Sequence, residues 1–343
     1  MRVTVSLFVA GVFLNLVACS NNAEEAETKV LADVTGQSSK QVSLAEVEPQ
    51  KAPRSERLSA VERQFVSAMR QGNLEDAMFY LNEGLVDAKD LSTGHSLVFY
   101  LYGSGNCDFD RGDCTPGQDV VQTLISAGFD LDEQFDNARR PISYVCWGRS
   151  MGENNARLLT QQGVKVNFTD KDGASALHYC ARRRTDTSHE NLAEYAQSVT
   201  NTMNYLLAAG ADIDVRDTRT RPAQHHTFGE PFYQGSTPLM QAVDYVGEVS
   251  MRRFNTVEFL LEKGANASLI DANGFGVANY LQYPDRDRKY EPTLDLLRML
   301  HNAGANILHK TPKGQSLETL ALDRGDIEFV QKMRAIAREP RGR

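Results

Sequence analysis

The residues of this chain able to do chemistry are few, and their spacing limits what they can do. Of five cysteines, Cys107 and Cys114 bracket the run Asp108-Phe109-Asp110-Arg111-Gly112-Asp113. That spacing suits a local disulfide, which would stiffen the segment by about 2 to 3 kcal/mol. Asp108, Asp110 and Asp113 could offer oxygens to calcium, but the glycine sits out of place for the turn and no glutamate closes the site. His225 and His226 are adjacent, so on an extended loop they face opposite ways, and no third ligand accompanies them; no metal is expected. Arg182-Arg183-Arg184 reads as a solvated loop. No nucleophile elbow, phosphate loop or paired-histidine zinc motif occurs, so neither catalysis, a cofactor nor a small-molecule substrate is expected. Nucleic acid is an unsuitable partner as well: 37 Lys and Arg lie scattered among 45 Asp and Glu, a net charge of -8.

Cys19 stands apart. Arg2 gives a positive start, the stretch from Val3 to Val17 is almost wholly apolar, and it ends in Leu16-Val17-Ala18-Cys19. The run is short for a bilayer span and a polar stretch follows it, the pattern of a secretion signal. The tetrapeptide resembles the lipobox of bacterial lipoproteins. The resemblance implies removal of residues 1 to 18 and acylation of Cys19, with about 0.8 kcal/mol of membrane affinity for each buried methylene. Ser20 stands where inner-membrane lipoproteins carry Asp, which implies a bacterial cell envelope protein anchored in the outer membrane and facing the periplasm. Residues 19 to 57 are polar and aperiodic, the composition of a disordered tether with a reach of roughly 35 Å.

The elements that position everything else are found from a repeat. An amphipathic segment ends in large apolar residues, then a glycine, as in Thr123-Leu124-Ile125-Ser126-Ala127-Gly128 and Phe259-Leu260-Leu261-Glu262-Lys263-Gly264-Ala265-Asn266. Equivalent glycines are Gly84, Gly163, Gly210 and Gly304, each expected to end a helix in a left-handed conformation that residues with a Cβ avoid. A second phrase follows most of them, clearest in Gly235-Ser236-Thr237-Pro238-Leu239-Met240-Gln241-Ala242 and Gly173-Ala174-Ser175-Ala176-Leu177-His178-Tyr179-Cys180-Ala181. Weaker forms include Arg140-Pro141-Ile142-Ser143-Tyr144. Thr or Ser caps a helix there and Pro suits its first turn.

Helix, turn, helix, Gly-Ala-Asp/Asn, loop, then a Thr-Pro-Leu-His phrase resembles the ankyrin repeat. The resemblance covers residues 58 to 338, leaving 339 to 343 as a disordered tail. It implies an all-α solenoid of about seven helix-turn-helix units, with atypical first (59 to 89) and last (314 to 337) units as end caps. His178 would then stabilise the turn by bonding to neighbouring backbone. Cys146 and Cys180 fall in the small-residue stretches of adjacent inner helices and read as packed core thiols in preference to a second disulfide. Asp212, Asp214 and Asp217 read as turn formers.

The spacing between glycines exceeds the family's usual period, and the excess falls mostly between the two helices of a unit: residues 103 to 117, 182 to 198, 247 to 255 and 282 to 292. Residues 218 to 234 instead lengthen a loop between units and carry His225, His226, Phe228, Phe232 and Tyr233, the candidate anchors for a protein partner. The resulting expectation is a non-enzymatic, membrane-tethered periplasmic scaffold that binds a protein through its concave face and inserted loops. An immunity lipoprotein against a periplasm-acting lipase or peptidoglycan hydrolase is the alternative, and an enzyme site between the inserted loops a more distant one.

Overall fold

Helices in this chain begin where a side chain can satisfy their free N–H groups. Ser59 accepts from the Glu62 amide at 3.2 Å, and the Glu62 carboxylate accepts from the Ser59 amide at 2.7 Å, a reciprocal cap that starts α1 (Ala60–Arg70). Asn73 caps α2 (Leu74–Asn82) by accepting from the Asp76 amide at 3.2 Å. The computed structural model describes residues 7–9, 12–14, 58–94, 96–102, 118–135, 138–146, 152–171, 173–182, 192–218, 223–224, 231–232, 234–246, 254–281 and 291–342. It divides into two units, Met1–Ala52 and Pro53–Arg343. In the first, β1 (Leu7–Val9) pairs antiparallel with β2 (Val12–Leu14), Leu7 opposite Leu14.

The second unit is an all-α repeat of seven pairs among the described residues. After α1 and α2 come α3 (Leu97–Tyr102) with α4 (Gln118–Ser126). The third pair is a 3-10 turn (Pro141–Tyr144) with α5 (Gly152–Gln161), and the fourth is α6 (Ala176–Ala181) with α7 (Leu192–Ala208). Then follow α8 (Pro238–Val246) with α9 (Phe254–Glu262), and a second 3-10 turn (Val277–Tyr280) with α10 (Glu291–Asn302). The last pair is α11 (Leu317–Asp323) with α12 (Ile327–Arg338). First members pack in sequence from α3 through the Pro141–Tyr144 turn, α6 and α8 to the Val277–Tyr280 turn, while α4, α5, α7 and α9 form a second row. Two inner segments expected as helices are thus single 3-10 turns, one of them the Arg140-Pro141 phrase. Pro141 fits the first turn of either helix type, so its presence does not signal how soon the helix stops.

The repeat's glycines do the work expected of them. Gly84, Gly128, Gly163, Gly210, Gly264 and Gly304 have φ between 62° and 98°. In each case the following amide reaches back to the carbonyl four residues before the glycine, as in Ala211 N to Leu206 O at 3.0 Å and Ala265 N to Leu260 O at 2.9 Å. The residue supplying that carbonyl is buried in five of the six: Leu124, Leu159, Leu206, Leu260 and Leu300. One residue therefore both closes the helix and enters the core, which makes each repeat boundary cooperative with packing.

Segments 103–117, 183–191, 247–253 and 282–290 lie outside the described residues, and each falls between the two members of a pair. The insert expected to reach residue 198 ends sooner, because α7 already begins at Leu192. Beyond α12, in the stretch expected as a tail, the Glu339 carbonyl accepts from His301 Nε2 at 2.9 Å and the Gly342 amide donates to Asn302 at 3.2 Å.

Glu62 joins the first cap to the loop after it, accepting from the Ser92 amide and hydroxyl as well as from Ser59. Burial pushes its carboxyl up, but these bonds outweigh burial and hold the pKa at about 2, against an ordinary 4.5. The folded pKa lies below the unfolded one, so the stabilisation is complete above pH 4.5 and is lost as pH falls from there toward 2. Glu62→Gln is expected to cost about 2 to 3 kcal/mol near neutrality and to flatten the acid limb in that window. Urea denaturation across pH would show it; an unchanged acid limb would contradict the assignment.

Candidate recognition surface

From each helix-ending glycine the chain runs out as a finger before entering the next pair, and side chains within the fingers fix their shape. Asp130 accepts from the Asp132 amide at 2.8 Å, Asp212 from Asp214 at 3.0 Å and Asn266 from Ser268 at 3.0 Å. These are tight local turns of the kind Asp and Asn favour. A second set of side chains crosses from one finger to the next. Asp132 accepts from the Lys165 amide at 2.9 Å, and Asp214 accepts from the Asn266 amide at 3.0 Å. Asn167 does both, donating to the Gly210 carbonyl at 2.7 Å and accepting from the Asp212 amide at 2.8 Å. Successive fingers are therefore held in register by bonds that use backbone groups no helix satisfies.

A buried polar line lies beneath this row. Asp170 is paired with Arg139 at 3.2 Å and accepts from the Tyr179 hydroxyl. Arg182 Nη2 meets Asp217 at 2.9 Å, while its Nε donates to Gln241. The Tyr179 ring lies between the two guanidiniums, 5.6 Å from Arg139 and 6.0 Å from Arg182. Burial pushes the Tyr179 hydroxyl well above its ordinary pKa, and the hydrogen bond to Asp170 reinforces this, so the phenol remains a donor. Asp271, which accepts from the Phe275 amide and the Tyr280 hydroxyl, is also pushed up by burial.

These positions revise the expectations for single residues. Asp212 is a turn former, as expected; Asp214 instead bonds the Asn266 amide of the next finger, and Asp217 is a buried ion-pair partner. Arg182, expected in a solvated loop, belongs to the buried line, while Arg183 and Arg184 lie outside the described residues. His178 bonds backbone as expected: its Nδ1 accepts from the Ser175 amide at 3.1 Å and its Nε2 reaches the Ser236 carbonyl, 58 residues on, at 3.1 Å. His178→Ala is expected to lower stability by about 2 to 4 kcal/mol by orphaning these groups, measurable by urea denaturation. His309 makes the same kind of staple to the Gly274 carbonyl at 2.8 Å, and nothing in its sequence neighbourhood marked it out.

The reading of Cys146 and Cys180 as free core thiols is overturned: they form a disulfide with a Cα–Cα distance of 4.9 Å. Two packed helices keep their axes about 8 to 10 Å apart, but Cys146 follows a 3-10 turn and is free to approach α6 more closely. Cys107 and Cys114 lie outside the described residues, as do Cys19, His225, His226, Phe228 and Tyr233. Phe232 belongs to β4 (Pro231–Phe232), which pairs antiparallel with β3 (Ala223–Gln224), so the long finger contains a β-ribbon with Phe232 opposite Ala223. Among the described residues no group of three His, Cys, Asp or Glu is placed to hold a metal, and no helix is long and apolar enough to cross a membrane.

One surface feature had no signature in the sequence. Met78, Leu81, Val86, Ala127 and Phe129 line an open groove of about 450 Å³ where the second member of the first pair meets that of the next, with Phe79 exposed on α2 nearby.

Comparison with known proteins comes to three findings. No curated protein matches the sequence. The crystal structure of EF0377, an ankyrin repeat protein, is similar at 16% sequence identity with a TM-score of 0.47, covering 69% of this chain and 97% of that one. Residues 234–272, which hold α8, α9 and the finger after them, match the family model of the ankyrin repeat.

Proposed function

We propose that this chain is a non-enzymatic lipoprotein of the bacterial cell envelope, tethered through Cys19, that holds a protein partner along its finger row and inserted loops. The observation that carries the reading is the register of the fingers. Asp132, Asn167 and Asp214 tie the second finger to the third, the third to the fourth and the fourth to the fifth, so a long irregular surface is presented already ordered. Pre-ordering of this kind reduces the entropy lost on capture and is of little use without a ligand that spans several repeats. The long finger adds reach in the middle of the row, with Phe232 and Tyr233 as anchors. A buried disulfide accords with an oxidising compartment, as does the lipobox.

The full lipidated chain, solubilised from membranes, should co-purify with a stoichiometric partner. Phe232→Ala with Tyr233→Ala is expected to weaken that capture at least tenfold while leaving the thermal transition in place, and Cys19→Ala should release the chain from the membrane fraction. Capture that survives the double substitution would remove the finger from the interface. A captured lipase or peptidoglycan hydrolase would assign the immunity role; an envelope protein of the cell itself would assign an adaptor.

A further inference from the structure

We propose that the Cys146–Cys180 bond is a redox-sensitive latch on the inner segment of the third pair. That segment is a 3-10 turn of four residues, Pro141–Tyr144, where its neighbours α3 and α6 are helical. A single turn makes few of its own hydrogen bonds and offers a short face for packing. Cys146 closes the segment and is joined to Cys180 of α6, 34 residues on, across the junction between the third and fourth pairs. In a row of repeats each unit is held only by its nearest neighbours, so a covalent bond across one junction bears directly on how firmly that unit is held. The second row is packed here through α5 and α7, which confines the dependence to the inner side.

The same segment anchors recognition geometry. Arg139, two residues before the turn, pairs with Asp170 in the next finger and lies against Tyr179. Loosening residues 138 to 146 therefore loosens the link between the second and third fingers, and reduction acts on the surface that the proposed function relies on.

Both sulfurs belong to buried residues, so a reductant must wait for local opening. A dithiol then reacts in two steps. Its thiolate attacks one cysteine sulfur, forming a mixed disulfide and expelling the other cysteine as a thiolate, which takes up a proton. The second thiol of the reductant displaces the remaining cysteine, so two electrons and two protons pass to the protein and the reductant leaves as a disulfide.

Hydrogen exchange read by mass spectrometry on the full chain, untreated and after dithiothreitol, tests this. Peptides covering residues 138 to 146 and 163 to 174 are expected to exchange at least tenfold faster after reduction, while those of α9 and α10 are unchanged. Cys146→Ala with Cys180→Ala should reproduce the reduced pattern with or without dithiothreitol, which separates this bond from Cys107 and Cys114. Equal exchange before and after reduction would overturn the latch, as would uniform acceleration along the chain. Free thiols at Cys146 and Cys180 in protein mapped without reduction would overturn it too.

Discussion

Arg182→Ala is expected to lower the stability of the repeat body by about 3 to 5 kcal/mol, the cost of leaving a buried carboxylate without its cation. The Asp217 side chain has no exposure, and Arg182 is its ion-pair partner at 2.9 Å while also bonding Gln241 and flanking Tyr179. Asp217 is also where the finger closes, because its backbone exchanges bonds with Ser236 and Gly235 at 2.9 and 2.7 Å. The loss would thus be felt in the finger as well as in the core. Adding Asp217→Asn should recover part of the deficit, since a neutral amide needs no counter-charge. By contrast, the Arg298–Glu339 pair has both side chains more than 40% exposed, and removing it should cost under about 1 kcal/mol. Urea denaturation of the three variants decides the ordering; similar losses at the buried and exposed pairs would show that burial is not what gives the Arg182 pair its weight.

Gly235→Ala is the second substitution with a large expected effect. Gly235 has φ of 77°, and a Cβ there would lie 2.9 Å from the backbone nitrogen of Ala272 in the next finger. Gly210 has φ of 90° but nothing within 4 Å of an added Cβ. Backbone strain alone, about 1 to 2 kcal/mol, is expected for Gly210→Ala. Gly235→Ala must add the displacement of a backbone that cannot rotate away, for a total of about 2 to 4 kcal/mol. The difference between the two variants isolates the closeness of neighbouring fingers. If both lose the same amount, the Ala272 contact is looser than described.

What the sequence made legible is what local chemistry dictates. The helix-ending glycines announce themselves because few other residues accept their conformation, and the leucines four positions earlier share the same period. Asp212 could be assigned to a turn because an Asx side chain bonds backbone two residues on wherever it sits, whereas the Asp214 bond to Asn266 crosses between fingers. His178 followed from the ankyrin resemblance. What escaped depends on distances between repeats. The Cys146–Cys180 bond needs an inner segment short enough to come within 4.9 Å, and nothing between Pro141 and Cys146 forbids a longer helix. Arg182 was indistinguishable from Arg183 and Arg184 until Asp217 was placed beside it. The groove at Met78 and Phe129 arises only where two pairs meet. His309 staples a carbonyl 35 residues away, a contact with no local marker.

Capture along the finger row is tested most directly by photo-cross-linking in living cells with the full lipidated chain. A photoreactive residue placed in turn at Thr218, Ile270 and Lys313, exposed on successive fingers, should give a protein adduct of defined mass. The same residue at Gln122 and Glu258, exposed on α4 and α9, should give none. Adducts from the helix positions with none from the fingers would contradict the assignment of the fingers as the surface that holds the partner.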